Sequence, residues 1–245
     1  MIKVQSVSKW YGTVKAVEDI SFQLSPNEII GFVGPNGAGK STMLKMLATY
    51  LLPSEGTILV TDLNVVDHPL SVRRKIGYLS GDTPLYQAMR ADKFLTFCGK
   101  ARGLAGAELK KNLEWVIEIC GLSPHLYKRV SQCSTGFRQR IGLASALIHN
   151  PPILLLDEPT HGFDPMQVLA FRELLQSLKD NRVILFSSHI IQEVSALSDR
   201  VIIINNGKLL GDGRLPDLAK QTGQPENDLE AIFTHLVRQS EVVNA

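Results

Sequence analysis

The chain has 245 residues, 44% of them apolar, and a formal net charge of +2. That is enough apolar material for a sizeable core in one domain with subdivisions, and the even charge balance, with no block of like charges, gives a nucleic-acid role no support. Cys98, Cys120 and Cys133 are odd in number and lack Cys-x-x-Cys spacing, which speaks against a disulfide framework or a zinc site and for core residues in a reducing compartment. No apolar run approaches the ~20 residues that cross a bilayer, and the first residues lack signal-peptide organisation, so the chain by itself is expected to be soluble and cytosolic.

Between residues 2 and 24, short alternating patterns such as Ile20, Phe22 and Leu24 suit half-buried antiparallel strands, so a β-rich edge comes first. Segment 28–33 reads as a strand and 34–42 as a glycine-rich turn. Residues 42–52 read as a helix with Met43, Leu44, Leu47 and Leu51 on one face, stopped by Pro53 and Gly56 before a short strand at 57–60. From 84 to about 150 strand signals are few, and helices are expected at 92–102, 108–120 and 137–149, as an inserted helical subdomain. Alternation then resumes, with strands at 153–156, 183–186 and 201–204 and helices at 166–179 and 190–197, which implies a mainly parallel sheet. Asn206-Gly207 predicts a hairpin whose two turn residues both take positive φ. Leu229, Ile232, Phe233 and Leu236 fall at i, i+3, i+4 and i+7 and predict an amphipathic C-terminal helix. The expected fold is therefore α/β: a phosphate-loop core with a mainly parallel sheet, an N-terminal antiparallel β subdomain and the helical insertion. Residues 1–213 are expected to form the main domain and 214–245 a helical tail.

Two segments carry chemistry. Gly34-Pro35-Asn36-Gly37-Ala38-Gly39-Lys40-Ser41-Thr42 follows a strand and opens a helix, and its glycines let backbone N–H groups approach a triphosphate where side chains would obstruct. Lys40 is expected at the β and γ phosphates, Ser41 on Mg²⁺, and the amides of the helix start face the phosphates along the favourable dipole. Residues 153–156 form a continuous apolar run of buried-strand type, and Asp157 and Glu158 stand at its C-terminal end, where open α/β sheets place ligands. Asp157 is expected to hold Mg²⁺ directly or through water, and Glu158 to accept a proton from the attacking water. The pairing points to a nucleotide triphosphatase.

Gly34 to Thr42, Cys133-Ser134-Thr135-Gly136-Phe137-Arg138-Gln139-Arg140 and Leu154-Leu155-Leu156-Asp157-Glu158-Pro159-Thr160 together resemble the ATP-binding cassette family over roughly the first 213 residues. The resemblance implies that 133–137, in place of the commonest Leu-Ser-Gly-Gly-Gln, is the signature motif that grips the γ-phosphate of ATP held by the opposite subunit. Ser134 can cap the following helix, and Gly136 leaves its N-terminus open to an anion. His189, after Ser187-Ser188, is implied as the switch histidine that contacts the γ-phosphate. Tyr11 is implied as the aromatic that stacks on adenine, with Trp10 as its neighbouring rival, and Asp164 belongs to the loop that crosses the dimer interface. The other five histidines read as structural. One departure stands out: Gly81 occupies the position where the family usually carries glutamine, so either Asp82 or water substitutes there, or the metal is held less completely. A bare turn-and-cap reading of Asp164 also remains open.

By resemblance the chain is the ATPase subunit of a membrane transporter. Two copies would close around two ATP and Mg²⁺ on the cytoplasmic face of the membrane, bound to a transmembrane permease on a separate chain. Segment 134–140 and the tail at 227–236 are most similar to single-cassette bacterial exporters. An alternative is a soluble cassette ATPase that remodels a ribosome or a nucleic-acid complex, against which stand the single phosphate loop and the lack of sustained heptads. A nucleotide-binding module that scarcely hydrolyses ATP is a further alternative, motivated by Gly81.

Overall fold

A computed structural model of the chain describes residues 1–82 and 84–243. In chain order the elements are β1 (Ile2–Tyr11), β2 (Val14–Leu24), β3 (Glu28–Val33), α1 (Lys40–Leu47), β4 (Glu55–Val60), β5 (Leu63–Asn64), α2 (Pro69–Lys75) and β6 (Ile76–Leu79). There follow α3 (Ala91–Ala101), α4 (Gly106–Ile119), α5 (Thr135–Leu147), β7 (Ile153–Asp157), α6 (Pro165–Leu178) and β8 (Val183–Ser188). The chain continues through α7 (Ile191–Leu197), β9 (Arg200–Asn205), β10 (Lys208–Gly213), α8 (Leu215–Thr222) and α9 (Leu229–Val243).

Two sheets organise these elements. β2, β1, β4 and β5 form an antiparallel sheet in that order, with Ile2, Val4 and Val7 opposite Leu24, Phe22 and Ile20. Those alternating residues are all buried, as period-2 patterning requires. The second sheet runs β10-β9-β3-β8-β7-β6 and is parallel except for β10. Its central strands are covered on both faces, which is why they read as unbroken apolar runs. Ile30, Phe32, Leu155 and Leu185 point with α1 into the core shared with the antiparallel sheet. Ile29, Val33, Leu154, Leu156, Ile184 and Phe186 point the other way, into the core built with α5, α6 and α7.

The β9–β10 turn takes φ of 47° at Asn206 and 75° at Gly207, so the sequence-predicted hairpin forms with both residues left-handed. Most helices begin or end within a few residues of expectation, but α1 stops at Leu47 rather than at 52. Thr49 turns into the left-handed region at φ 62°, and the N–H groups of Tyr50 and Leu51 both fold back on the Lys45 carbonyl. Arg73 of α2 fastens that turn, donating from Nε to Thr49 Oγ1 at 2.6 Å. Helix α2 went unpredicted, and α8 falls inside the expected helical tail; both are short and begin at a proline-bearing first turn.

Residues 84–150 hold α3, α4 and α5 and no strand among those described. In the tail, Leu229 and Ile232 of α9 are buried in the same core as Leu218 of α8 and Val201 and Ile203 of β9, with Phe233 and Leu236 packed beside them. The predicted amphipathic spacing is thus the one α9 uses. No helix of the described residues is long and apolar enough to cross a membrane.

Candidate functional site

Parallel pairing brings the C-terminal ends of β3, β7 and β8 to one rim of the sheet: Val33 lies opposite Ser188, and Asp157 opposite Ser187. The loop at 34–39 leaves β3 at that rim and enters α1. Glycine is required at two of its positions. A Cβ at Gly34 would lie 2.3 Å from the Ile204 carbonyl oxygen of β9, and one at Gly39, where φ is 105°, would lie 2.3 Å from the Ala16 carbonyl oxygen. Backbone, unlike a side-chain tip, cannot yield at such distances. No side chain caps α1, so its first amides are left for a ligand, and the helix dipole favours an anion there.

Lys40 is 6% exposed and folds back over the loop, donating from Nζ to the Gly34 carbonyl at 2.7 Å and to the Pro35 carbonyl at 3.0 Å. Burial pushes its ammonium below the ordinary lysine range, and the carboxylates of Glu158 and Asp157 oppose that shift. A triphosphate would supply the counter-charge that the loop carbonyls only approximate.

Asp157, 4% exposed, ends β7. Its Oδ1 accepts from Ser41 Oγ at 3.0 Å and from Ser187 Oγ at 2.6 Å. Ser41 and Asp157 therefore present two oxygens to one point. Hard divalent cations take such ligands, and magnesium characteristically takes only one or two carboxylates and completes its shell with phosphate and water. Among the described residues no three His, Cys, Asp or Glu side chains gather around a point, so the protein builds no closed cage, and the donor set fits a nucleotide-borne metal.

Glu158 stands on a strained backbone, with φ at 50°. Three contacts hold it: its N–H donates to Ser187 Oγ at 3.0 Å, and its carbonyl accepts from His161 N at 3.2 Å and from Gln139 Nε2 at 3.4 Å. So held, the carboxylate places Oε2 2.9 Å from His189 Nδ1 and Oε1 3.9 Å from Lys40 Nζ. Behind it, Glu193 of α7 accepts from Thr160 Oγ1 at 2.6 Å and from Ser188 Oγ at 3.1 Å, tying the loop after β7 to the segment after β8.

These groups border an open cleft of about 320 Å³ lined by Asn36, Gly37, Gly39, Lys40, Ser41, Thr42, Glu158 and His189, together with Ala16 and His161. Gly34, Pro35 and Ala38 belong to the same loop without lining the cleft; Gly34 and Ala38 are buried and Pro35 is exposed. His161 was read as structural in the sequence and stands at the cleft wall. Ser187, Thr160, Gln139 and Glu193 were missed as site residues, and only the Ser-Ser pair before His189 hinted at one of them.

Other sequence candidates lie away from the cleft. Tyr11 ends β1, is 48% exposed and carries Lys9 Nζ 5.7 Å from its ring centroid. Ser134 caps α5, accepting from Phe137 N at 3.2 Å, and Gly136 is buried in the first turn of that helix. Asp164 caps α6: its Oδ1 accepts from Gln167 N at 2.9 Å and its Oδ2 from Gln167 Nε2 at 2.7 Å. The turn-and-cap role left open from the sequence is therefore occupied within one chain. Gly81 lies beside Asp157, since a Cβ there would sit 3.5 Å from the Asp157 carbonyl oxygen, with nothing else within 4 Å among the described residues. The adjacent Asp82 is exposed. Nearby on β6, burial and then the Asp157 charge push the Tyr78 phenol up to about 12.

Strand, phosphate loop and helix in this order, with acids delivered by a parallel neighbouring strand, define a P-loop nucleotide-binding protein. Residues 17–161 match the family described as ABC transporter, and the chain belongs to that family. It is 42% identical over 228 residues to the ABC transporter ATP-binding protein NatA of Bacillus subtilis, covering 92% of each chain. It is 36% identical to the bacitracin transport ATP-binding protein BcrA of Bacillus licheniformis over 90% of this chain and 72% of that one. Among solved structures, an ATP-binding subunit of an ABC transporter superposes with a TM-score of 0.89 at 28% identity, over 97% of this chain and 99% of the other. A dimeric ATP-binding cassette in a post-hydrolysis state with ADP and Pi superposes at 0.81 and 25% identity, over 88% and 99%.

Proposed function

We propose that the protein hydrolyses ATP with Mg²⁺ and that two copies, closing around two nucleotides, use the cycle to drive a transmembrane permease carried on a separate chain. The observation that carries this reading is the gathering of Lys40, the Ser41–Asp157 oxygen pair and the Glu158–His189 pair around one cleft. A binding module needs the first two; a carboxylate held against an imidazole beside them suits turnover. The transporter subunits among the relatives and the dimeric cassette structure support partner and assembly. With such a partner the chain would work at the cytoplasmic face of a membrane.

In the proposed cycle Lys40 exchanges the carbonyls of Gly34 and Pro35 for phosphate oxygens, while the start of α1 receives the remaining negative charge. Ser41 and Asp157, whose oxygens already meet at 3.0 Å, would hold Mg²⁺, which would supply positive charge against the β and γ phosphates. Glu158 accepts the proton of the attacking water, and His189, through Nδ1, keeps the carboxylate aimed. Ser134 and Gly136 of one copy face the nucleotide of the other, and Tyr11 offers its exposed ring to adenine. To move a two-state equilibrium from 1:99 to 99:1 takes about 5.5 kcal/mol of differential affinity, within reach of a terminal phosphate shared between two helix N-termini.

Glu158→Gln tests the assignment. ATP affinity should persist while kcat falls by about 10² or more, roughly 2.7 kcal/mol of transition-state stabilisation. Wild-type turnover in that variant would remove Glu158 from the role.

A further inference from the structure

Loop 158–164 and the start of α5 touch at three places. Gln139 Nε2 donates to the Glu158 carbonyl at 3.4 Å, a Cβ on Gly162 would lie 2.9 Å from Thr135 Cγ2, and a Cβ on Gly136 would lie 2.3 Å from Gln167 Oε1. In the third contact the whole carboxamide lies over the glycine, because Gln167 Cδ and Nε2 follow at 3.3 and 3.5 Å from the same point. Its orientation is fixed by charge. Nε2 donates to Asp164 Oδ2 at 2.7 Å, and a flipped amide would set its oxygen against that carboxylate. Oε1 is buried without a hydrogen-bond partner among the described residues. Burying an acceptor unpaired is unfavourable, so the group is held there by its Asp164 bond and by the absence of a side chain at 136.

We propose that Gln167 is a positioning residue that couples the Asp164 loop to the signature segment, and that Gly136 is glycine as much to admit the Gln167 carboxamide as to leave the helix start open. The inference rests on the ATP-driven closure proposed above. Displacement of the loop that follows Glu158 is then transmitted to Ser134 and Gly136 through the Gln167 side chain, held by its Asp164 bond, beside the Gln139–Glu158 hydrogen bond.

The test uses the full-length chain, with its permease partner where turnover requires it. Gln167→Ala should quicken amide exchange several-fold across residues 134–139 in the nucleotide-free protein, leave exchange in 34–42 unchanged, and lower kcat about tenfold without altering KM for ATP. Gly136→Ala should quicken exchange across 134–139 in the same way by expelling the carboxamide, and because Gly136 also faces the nucleotide in the proposed cycle, exchange in the nucleotide-free protein is its readout. The double variant should be no worse than either single one, since each breaks the same link. Gln167→Met fills the space without the donor and should behave like Gln167→Ala, with an unfolding midpoint near that of the wild type. Exchange unchanged in 134–139, or effects of the two substitutions that multiply independently, overturns the inference. If the exchange result holds while wild-type protein hydrolyses no ATP, the coupling stands and the proposed function falls.

Discussion

Ser187→Ala removes one hydroxyl from a fully buried position at the end of β8. That hydroxyl donates to Asp157 Oδ1 at 2.6 Å and accepts from Glu158 N at 3.0 Å. A hydrogen bond to a charged group contributes about 1.5–3 kcal/mol, and an orphaned buried N–H costs about 1–3 kcal/mol. Asp157 keeps Ser41 as a donor, so the lower halves of those ranges apply and the sum is about 3 kcal/mol. For a chain of this size that lowers the melting midpoint by roughly 6–12 °C. The kinetic effect is separate. Glu158 holds a φ of 50°, a conformation that costs a non-glycine residue about 1–3 kcal/mol, and the Ser187 anchor is part of what opposes its relaxation. Released, the carboxylate drifts from His189, and kcat should fall about 10–100-fold, since displacements near 1 Å can lower a rate by about 10². ATP affinity, set by residues 34–42, should hardly change. Scanning fluorimetry and a coupled phosphate-release assay measure both, and Ser187→Thr, which keeps the hydroxyl, should recover most of each. Wild-type melting and wild-type kcat in Ser187→Ala would refute the chain of contacts from β8 to Glu158.

Lys40→Ala should weaken nucleotide binding itself, because the charged donor nearest the loop is gone; unchanged affinity in isothermal titration would overturn its assignment. Among the described residues only the Asp157 carbonyl oxygen lies within 4 Å of a Cβ at 81, so Gly81→Gln has room there and should sharpen the Mg²⁺ dependence of turnover. A titration that matches the wild type would show that the metal site needs nothing at 81. His149 is held neutral, its pKa lowered to about 4 by burial first and by Arg102 second, with Nε2 bonded to the Ile76 carbonyl at 3.2 Å. A depressed pKa means that the unfolded chain takes the proton first. Stability from this group is complete above about pH 6.5 and is lost as pH falls towards 4, by up to about 3 kcal/mol. His149→Gln should remove that increment from denaturant unfolding measured between pH 7 and pH 4, and an identical pH profile in wild type and variant would contradict it.

The residues legible in the sequence were those whose spacing is dictated by local geometry. The phosphate loop is nine consecutive residues, the acids directly follow a buried apolar run, and Asn206-Gly207 advertises its own turn. What stayed hidden depends on distant partners. Ser187 matters because parallel register sets it opposite Asp157, and serine at a strand end looks alike with or without such a neighbour. Thr160 and Glu193 are 33 positions apart and meet only because α7 returns past the rim. The helix expected to run to 52 fails for a similar reason: Arg73 grips Thr49, an interaction between segments with no periodic signal. Asp164 was legible as a helix cap, and its partnership with Gln167 against Gly136 was not, because nothing in either segment marks the other.

The three strands that deliver phosphate-facing groups also impose a division of labour on the surface. Phe97 of α3, with Tyr86 and Tyr127 in neighbouring loops, faces outward, and among the described residues the helical insertion lines no part of the cleft. Under the proposed function, substitutions on that outer skin leave the settings of the cleft rim untouched.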